Sequence, residues 1–318
     1  MTSKHSSILV TGGAGFIGSH LVDRLLKDGF NITVLDDLST GKLDNLASHK
    51  DKENFHFIRG DIRDSDLVKR ALKDVDAVFH AAALVSVSRS VEDPILTNEV
   101  NVTGTLNLLK ACLDSNIKRF IFSSSTAIYG DTKTLPISED IVPQPISPYA
   151  VSKLAAENYT QVFYEVYGLE TVCLRYFNVY GPRQEYGPYS GVITIFINRL
   201  KHGEPPIVYG DGEQTRDFVE VQDVVEANML ALRKRDAVGQ IFNIATGLPT
   251  TVNRLAELLQ EIVGRTELKP VHAKPRLGDI RYNHADIGKA RKILGYEPKV
   301  SLKAGLTRLV EWWWTHNE

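Results

Sequence analysis

Three side chains that could move a proton occur at two places in the chain. Ser125 ends the run FIFSSS, and Tyr149 and Lys153 lie four residues apart in YAVSK. Residues four apart share one face of a helix, so we expect the Lys153 ammonium beside the Tyr149 phenol. Such a neighbour favours the phenolate and lowers a pKa that is ordinarily about 10. Together the three groups predict acid–base chemistry at one substrate oxygen, although a Tyr and a Lys at this spacing are also common by chance.

A glycine-rich segment supplies the context that this pattern needs. Gly12, Gly15 and Gly18 lie in VTGGAGFIGSH, between a strand-like run and a helix-like run. The first glycine permits a tight turn, the second allows the backbone to approach a pyrophosphate, and the third allows the helix to pack on the strand. The N-terminus of the helix then offers free N–H groups to phosphate oxygens. A plain tight turn is the alternative interpretation.

Acidic and small residues at the ends of the next strands support a dinucleotide. Asp36 lies eighteen residues after Gly18, where a carboxylate can hold a ribose diol and repel a 2′-phosphate. We therefore expect NAD rather than NADP, with Asp37 either sharing this role or starting a loop. Asp61 could reach the adenine or simply begin a turn. The small residues of HAAA, 80–83, would let a flat cofactor lie against a strand end, or allow close helix packing.

The elements that must position these residues alternate along the first half. Strand-like runs occupy 7–12, 31–37, 54–62, 76–83, 118–125 and 170–181, with helical patterns clearest at 18–29 and 103–115. Strands without polar alternation, joined by helices, indicate a doubly wound parallel α/β sheet of the Rossmann type. After about residue 180 the chain is richer in loops. We expect residues 1–176 to bind NAD and 177–318 to form a smaller C-terminal α/β substrate domain, with an approximate boundary and interleaved segments.

Composition restricts the function further. The chain has 318 residues, 43% hydrophobic and 24% charged, with a net charge of −2 and no block of like charge, which argues against a broad nucleic-acid surface. Cys112 and Cys173 lie in apolar runs and are expected to be buried thiols. No metal site is expected, because too few cysteines are present for four thiolates. The sequence contains no signal-peptide pattern and no long apolar run, so we expect a cytoplasmic protein without a membrane partner.

These motifs resemble the extended short-chain dehydrogenase/reductase family, and within it the UDP-glucose 4-epimerases and their relatives. The resemblance covers nearly the whole chain, through TGGAGFIGSH, DDLSTG, GDIRD, HAAALVSVSRS, NVTGT, FSSSTAIYGD, SPYAVSK, LRYFNVYGPRQ, YGDGEQTRDFVEVQDV and RLGDI. It implies that Ser125, Tyr149 and Lys153 are the catalytic residues. It implies cofactor contacts from Gly12, Gly15, Phe16, Ile17, Gly18, Asp36, Asp37, Leu38, Ser39, Thr40, Gly41, Asp61, Ile62, Ala81, Ala82, Ala83, Asn101, Tyr149, Lys153 and Phe177.

The same resemblance implies a site for a nucleotide diphosphate-sugar. It would involve Ser86, Ser125, Tyr149, Asn178, Val192, Tyr209, Arg216, Arg276, Asp279 and Asn283. The arginines also suit this role by their chemistry, since a planar guanidinium pairs well with phosphate oxygens. Surface salt bridges are the alternative for Arg216 and Arg276.

The resemblance implies 4-epimerisation through a 4-keto sugar, with UDP-glucose and UDP-galactose as substrates. Relatives that eliminate water carry an Asp-Glu pair where this chain has Thr126 and Ala127, so dehydration is disfavoured. A bulky tyrosine at the position of Asn283 excludes N-acetyl groups in some relatives, so UDP-N-acetylhexosamines are also expected. UDP-glucuronate epimerisation and a catalytically silent sugar-nucleotide-binding protein remain open. A homodimer is expected from helices with apolar outer positions.

Overall fold

A seven-stranded parallel sheet forms the centre of the chain. The structure is a computed structural model that describes residues 6–184, 186–187, 191–275 and 280–316. The strands of the main sheet are β1 Ser7–Thr11, β2 Asn31–Asp36, β3 Phe55–Arg59, β4 Ala77–His80, β5 Arg119–Ser125, β6 Thr171–Tyr176 and β10 Gln240–Ile244. They lie in the order β10-β6-β5-β4-β1-β2-β3. The predicted doubly wound fold is confirmed.

The described helices cover both faces of this sheet and build the C-terminal part. They are α1 Phe16–Lys27, α2 Ser65–Ala71, α3 Val87–Glu92, α4 Pro94–Asn98, α5 Gly104–Asp114, α6 Pro148–Tyr167, α7 Val192–Lys201, α8 Val221–Arg233, α9 Val252–Val263 and α10 Leu302–His316. Three short 3₁₀ helices, Leu43–His49, Thr126–Tyr129 and Arg235–Ala237, and two π-helical turns, Glu99–Thr103 and Ala290–Leu294, complete them. None of the helices in the described ranges is long and apolar enough to cross a bilayer.

Burial on both faces explains why the strands lack polar alternation. Ile8 and Val10 of β1 pack with α1 and α8 on one face, while Leu9 between them packs with α2, α5 and α6 on the other. Successive side chains of a strand point to opposite faces, so a sheet covered by two helical layers needs apolar residues at every position. Cys112 and Cys173 are free and buried in the second of these layers, as expected.

The run predicted as one strand over 170–181 forms two strands in different sheets. β6 ends at Tyr176, and β7, Asn178–Tyr180, belongs to a three-stranded sheet with β9, Thr215–Glu220, and β11, Pro249–Thr251. Phe177 lies at the crossover and donates its backbone N–H to Ile244. The later strand β10 then returns to the main sheet beside β6. The division of the chain at residue 176 remains a prediction.

The C-terminal part has its own apolar core. It surrounds Trp313 and contains residues of α7, α9 and α10. A two-stranded sheet of β8, Ile207–Tyr209, and β12, Val271–Ala273, lies in this part. Trp313 is 1% exposed, whereas neighbouring Trp314 is 38% exposed, so the terminal aromatics divide between core and surface.

Candidate active site

The strand order changes direction between β1 and β4, and this is where a doubly wound sheet binds its ligand. Gly12 follows β1 with a φ of +69°, and a Cβ there would lie 2.6 Å from the backbone nitrogen of Ala82 after β4. A Cβ on Gly18 would lie 2.1 Å from the Gly12 carbonyl oxygen. The absence of a side chain at Gly12 therefore allows the glycine turn to fit against the backbone of Ala81 and Ala82.

The N-terminus of α1 points its backbone donors into this crevice. Gly15 precedes the helix, and no side chain of the described residues caps its first turn, which also contains Phe16 and Ile17. The first N–H groups of an uncapped helix carry a partial positive charge and suit a pyrophosphate. The predicted phosphate cradle has the local geometry that its sequence indicated.

Asp36 ends β2 beside the cradle. Its carboxylate accepts hydrogen bonds from the backbone of Ala14 at 2.9 Å and of Leu38 at 2.8 Å. Burial raises the Asp36 pKa, and the two backbone hydrogen bonds oppose that rise. A Cβ on Gly41 would lie 2.9 Å from the Asp36 carboxylate, so the segment containing Ser39 and Thr40 folds closely over this group.

The other two acidic candidates are occupied by local partners. Asp37 accepts from the backbone and the hydroxyl of Ser39, at 2.9 and 2.7 Å, in an exposed turn. Asp61 accepts from Arg63 at 2.7 Å, and Arg63 also contacts Glu99 at 2.9 Å. Burial alone would raise the Asp61 pKa, but the Arg63 contacts bring it below its usual value. Contacts of Asp61 and of its buried neighbour Ile62 with the adenine remain predictions.

Taken together, the crevice fits NAD. It combines an uncapped helix N-terminus, glycines that leave no room for a Cβ, and a buried carboxylate at the end of the second strand. The backbone N–H groups of Ala81 and Ala82 donate to Thr11, at 3.1 and 3.3 Å, which fixes this segment, directly before Ala83, beside the glycine turn.

The structure brings Ser125 and Tyr149 together. Ser125 ends β5, and Tyr149 lies in the first turn of α6, where Ser147 caps the helix and Pro148 opens it. Burial raises the Tyr149 pKa, and a hydrogen bond with the Ser125 hydroxyl opposes the rise. The Tyr149 backbone N–H also donates to Ser90 Oγ at 3.0 Å, which fixes the start of α6 on α3.

Lys153 lies one turn further along α6 in an apolar environment. Its Nζ is 4.4 Å from the centre of the Phe122 ring, and burial lowers its pKa to about 8, while Glu157 acts in the opposite direction. The sequence led us to expect a Tyr149 pKa lowered by Lys153. In the protein alone the Tyr149 pKa is raised, because loss of solvent around the phenol outweighs the favourable contacts.

Asn101 supports these residues from the π-helical turn Glu99–Thr103. Its side chain accepts from the Leu84 backbone at 2.7 Å and donates to Ser152 at 2.9 Å. Ser152 in turn donates to the Tyr149 carbonyl at 2.8 Å. The amide thus braces the first turn of α6. The cofactor contact expected of Asn101 remains a prediction.

The residues predicted to hold the sugar nucleotide lie on several elements around this edge. Ser86 caps α3 by accepting from the Arg89 backbone at 3.1 Å, and Val192 is the first residue of α7. Tyr209 ends β8, and Arg216 on β9 donates to the Thr215 carbonyl at 2.8 Å. Phe177, predicted to contact the cofactor, is buried beside Ile128 and Tyr129, and this contact remains a prediction. Arg276 and Asp279 lie outside the described residues.

Asn178 and Asn283 form a short polar chain with Thr126. The Asn178 amide donates to Asn283 at 3.3 Å, and the Asn283 amide donates to the Thr126 hydroxyl at 3.2 Å. Thr126 directly follows Ser125, so these hydrogen bonds connect the C-terminal part to the end of β5. Asn283 is only 4% exposed, so its two hydrogen-bond partners, rather than solvent, determine the orientation of its side chain.

Sequence reasoning missed a buried group of polar residues behind Ser125, Tyr149 and Lys153. Glu157 and Arg175 form an ion pair at 2.6 Å, and Ser124 donates to Glu157 at 2.6 Å. The sequence did contain one signal for Glu157, since it lies four residues after Lys153 on the same helical face. Arg175 gave none, because an arginine in a strand reads as an edge or surface residue.

Residues 8–245 match the NAD dependent epimerase/dehydratase family. The chain belongs to this family. A protein named putative UDP-glucose 4-epimerase from Methanocaldococcus jannaschii is 42% identical over 313 residues, 98% of this chain and 99% of the relative. A UDP-glucose 4-epimerase from Mycolicibacterium smegmatis is 41% identical over 305 residues, 95% and 97% of the two chains.

Solved structures agree closely with this fold. The UDP-glucose 4-epimerase of Thermotoga maritima with UDP-glucose has a TM-score of 0.92 at 45% identity, covering 98% of this chain and 100% of the other. The UDP-N-acetylglucosamine 4-epimerase of Methanobrevibacter ruminantium, in complex with UDP-N-acetylmuramic acid, has a TM-score of 0.94 at 41% identity, covering 98% and 99%. The UDP-glucuronic acid 4-epimerase of Bacillus cereus, with UDP-glucuronic acid and NAD, has a TM-score of 0.89 at 34% identity, covering 96% and 98%.

These comparisons confirm two expectations. The cofactor is NAD, since the family is NAD dependent and a solved relative holds NAD. The activity supported is nucleotide-sugar 4-epimerisation. The three solved relatives are named for three different sugars, so the identity of the sugar is a matter for proposal.

Proposed function

We propose that this enzyme interconverts UDP-glucose and UDP-galactose, and that it also accepts UDP-N-acetylglucosamine and UDP-N-acetylgalactosamine. The observation that carries the proposal is the hydrogen-bonded pair of Ser125 and Tyr149, with Lys153 one turn away, at the sheet edge beside the NAD crevice. A catalytically silent binder is not favoured, because it would not need a complete set of proton-transfer groups.

Tyr149 takes the proton from the C4 hydroxyl of the sugar and later returns it. Ser125 hydrogen-bonds the same oxygen and keeps it in line with the phenol. The Lys153 ammonium stabilises the phenolate by its charge. The glycine turn, the first turn of α1 and Asp36 would hold NAD, which would supply the hydride acceptor and donor for C4. Burial raises the Tyr149 pKa in the protein alone, so bound ligands and the Lys153 charge must supply the stabilisation of the phenolate.

Inversion requires the 4-keto sugar to present its other face before it is reduced. We propose that Arg216 pairs with the diphosphate. Asn178 and Ser86 would line the space for the hexose (the hexose space), in which the sugar ring can turn. Residues at 126 and 127 support this course over water elimination, since a threonine and an alanine offer no carboxyl group for a general acid or base.

Asn283 supports tolerance of an N-acetyl group. Its side chain is short, and its hydrogen bonds with Thr126 and Asn178 fix its orientation. A tyrosine at this position would occupy more of the hexose space. We therefore expect Asn283→Tyr to reduce turnover of the acetylated pair by at least about tenfold, while UDP-glucose turnover changes much less. Asn283→Ser is the matched small polar control and should retain both activities.

UDP-glucuronate 4-epimerisation is the second candidate. It is favoured by the likeness to the Bacillus cereus enzyme, but at lower identity than the other two solved relatives. A carboxylate at C6 would require a compensating cation near the hexose.

A panel of UDP-sugars decides between these substrates. Purified enzyme is incubated with each of the glucose, N-acetylglucosamine and glucuronate forms, and C4 inversion is followed by proton NMR without added reductant. We expect turnover of the first two, and a fall in kcat of at least about 100-fold in Tyr149→Phe. Turnover of UDP-glucuronate alone would contradict the proposed specificity, and absence of inversion in every case would contradict the proposed function.

We also propose that the enzyme is a homodimer that pairs through α6. The exposed side of this helix carries four large apolar side chains, those of Val151, Tyr159, Val162 and Val166. Buried apolar area is the main stabilising contribution in such contacts. Sedimentation velocity should show a dimer, and Val162→Glu with Val166→Glu should give monomers. Val142→Glu, at an exposed loop position, is the control and should leave the dimer intact.

A further inference from the structure

A buried ion pair lies directly behind the catalytic side chains, and the reaction described above does not use it. Glu157 and Arg175 are 1% and 4% exposed. Arg175 contacts the carboxylate through Nη2 at 2.6 Å and Nε at 3.1 Å. An isolated pair of charges in a protein core is rarely better for stability than apolar residues of the same size. Its presence here calls for a role other than stability.

Glu157 connects the two elements that carry the catalytic groups. Tyr149, Lys153 and Glu157 are spaced four residues apart on α6 and therefore line one face of it. The Glu157 carboxylate also accepts a hydrogen bond at 2.6 Å from Ser124, the residue before Ser125 on β5. One carboxylate thus fixes the catalytic strand end against the catalytic helix.

Arg175 extends this connection to the turn that follows Ser125. Its Nη1 donates to the Tyr129 hydroxyl at 2.7 Å and to the Glu139 carbonyl at 3.2 Å. Tyr129 closes the 3₁₀ turn Thr126–Tyr129 and donates to Asn243 on β10 at 2.7 Å. The residues on both sides of Ser125 are therefore held by the same ion pair.

The groups facing Lys153 leave Glu157 as the source of negative charge. On its own helix these groups are Glu157 and, by its spacing of four residues, Tyr149, while His80 faces it from β4 and Cys173 from β6. Burial lowers the His80 pKa to about 3, with a further contribution from Lys153, so the ring is neutral. Burial raises the Cys173 pKa, so this group is a neutral thiol.

We propose that Glu157 is a positioning residue for the 4-epimerase reaction, holding Ser125 against the Tyr149–Lys153 face and keeping Lys153 charged, while Arg175 balances its field. The proposal rests on the proposed function of this site. Arg175 contacts both oxygens of the Glu157 carboxylate and so competes with Lys153 for this anion. The ammonium therefore remains available to the phenol.

The pH dependence of kcat tests this role in the complete enzyme with NAD bound. Deprotonation of Tyr149 sets the acid limb and deprotonation of Lys153 the alkaline limb. Glu157→Gln removes the anion and leaves the Arg175 cation, so both limbs should move to lower pH by about one unit. The double variant Glu157→Gln/Arg175→Gln has the same net charge as the native pair, so both limbs of its pH profile should return towards the wild-type positions.

Ser124→Ala separates position from charge. It removes the hydrogen bond between strand and helix and keeps the ion pair, so kcat should fall about tenfold while both limbs stay in place. If Glu157→Gln alone does not fold, Arg175→Gln gives the opposite test, because an unbalanced Glu157 should move both limbs to higher pH. The proposal would be overturned if the limbs of the kcat–pH profile did not move in Glu157→Gln or Arg175→Gln. It would also be overturned if the profile of the double variant moved as far as that of Glu157→Gln.

A second measurement needs neither sugar nor NAD. Because burial lowers the Lys153 pKa to about 8, below its value of about 10.5 in an unfolded chain, the unfolded state binds the proton more tightly between these values. Urea midpoints of the cofactor-free protein should therefore rise with pH across this window, and Lys153→Met should lack the rise. In Glu157→Gln the rise should begin at lower pH.

The two measurements separate the failures. If no UDP-sugar is inverted but the onset of the stability rise still moves in Glu157→Gln, the proposed function is wrong while the charge link between Glu157 and Lys153 stands. If inversion is observed but neither the limbs nor the onset move, the inference about Glu157 is wrong and the epimerase assignment is unaffected.

Discussion

Replacing Gly12 by alanine should damage the NAD site through two separate effects. A φ of +69° is strained for any residue with a Cβ, and this costs on the order of 1–2 kcal/mol. The new Cβ would also lie 2.6 Å from the Ala82 nitrogen and 2.8 Å from its Cα. Because these are backbone atoms, relief requires the β4 end to move away from the glycine turn, which widens the crevice expected to hold the pyrophosphate.

Gly264 provides a matched control. It ends α9 with a φ of +72°, and a Cβ there would meet nothing within 4 Å. Gly264→Ala therefore carries the same backbone strain without the collision. Both variants should lose about 1–2 kcal/mol of stability from strain in urea unfolding. Any further loss of unfolding free energy in Gly12→Ala measures the cost of the contact between the new Cβ and the Ala82 backbone.

NAD affinity provides the decisive reading. NAD content after purification and calorimetric titration of the stripped protein should show at least about tenfold weaker binding in Gly12→Ala, which corresponds to about 1.4 kcal/mol. Gly264→Ala should bind NAD as the wild type does. Equal NAD affinity in the two variants would refute the reasoning that close packing of Gly12 on Ala82 shapes the cofactor site.

Three further predictions concern stability and cofactor binding. Because the folded His80 pKa of about 3 lies below the unfolded value, the unfolded chain takes up the proton first on acidification. The protein should therefore lose about 3 kcal/mol of unfolding free energy as the pH falls from about 6.5 to 4, and the urea midpoints of His80→Gln should lack this fall. Trp313→Ala should destabilise by about 3–5 kcal/mol in urea unfolding, and the more exposed Trp314→Ala by under about 1 kcal/mol; equal losses would contradict the assigned core. Asp36→Asn should weaken NAD binding in calorimetry by about tenfold. The neutral amide has one acceptor oxygen and cannot replace a carboxylate that accepts from two backbone donors and also binds the ribose diol; unchanged affinity would contradict that role.

The main sheet and the cofactor cradle could be predicted from the sequence because their signals are local. Continuous apolar runs identify strands buried on both faces, and the glycine spacing identifies the turn before α1. The acidic residue at the end of β2 follows from the same unit. Such signals need only the geometry of one strand, one turn and one helix.

The parts that could not be predicted depend on contacts between distant segments. The run 170–181 carries no break in its sequence pattern, yet it divides at Phe177, where β6 stays paired with β10 and β7 pairs with the distant strand β9. The burial of Arg175 depends on Glu157 and Tyr129, which approach it from other elements. The raised Tyr149 pKa depends on how much solvent the fold removes from the phenol, and a spacing of four residues carries no information about that.

The fate of the hydrogen on C4 tests the central claim most directly. Purified enzyme converts UDP-glucose to UDP-galactose in deuterium oxide, and proton NMR determines which isotope the product carries at C4. The account predicts that C4 keeps its original hydrogen, since Tyr149 exchanges only the hydroxyl proton with solvent, and that Tyr149→Phe slows the conversion by at least about 100-fold. Deuterium at C4, or conversion at the wild-type rate in Tyr149→Phe, would contradict it.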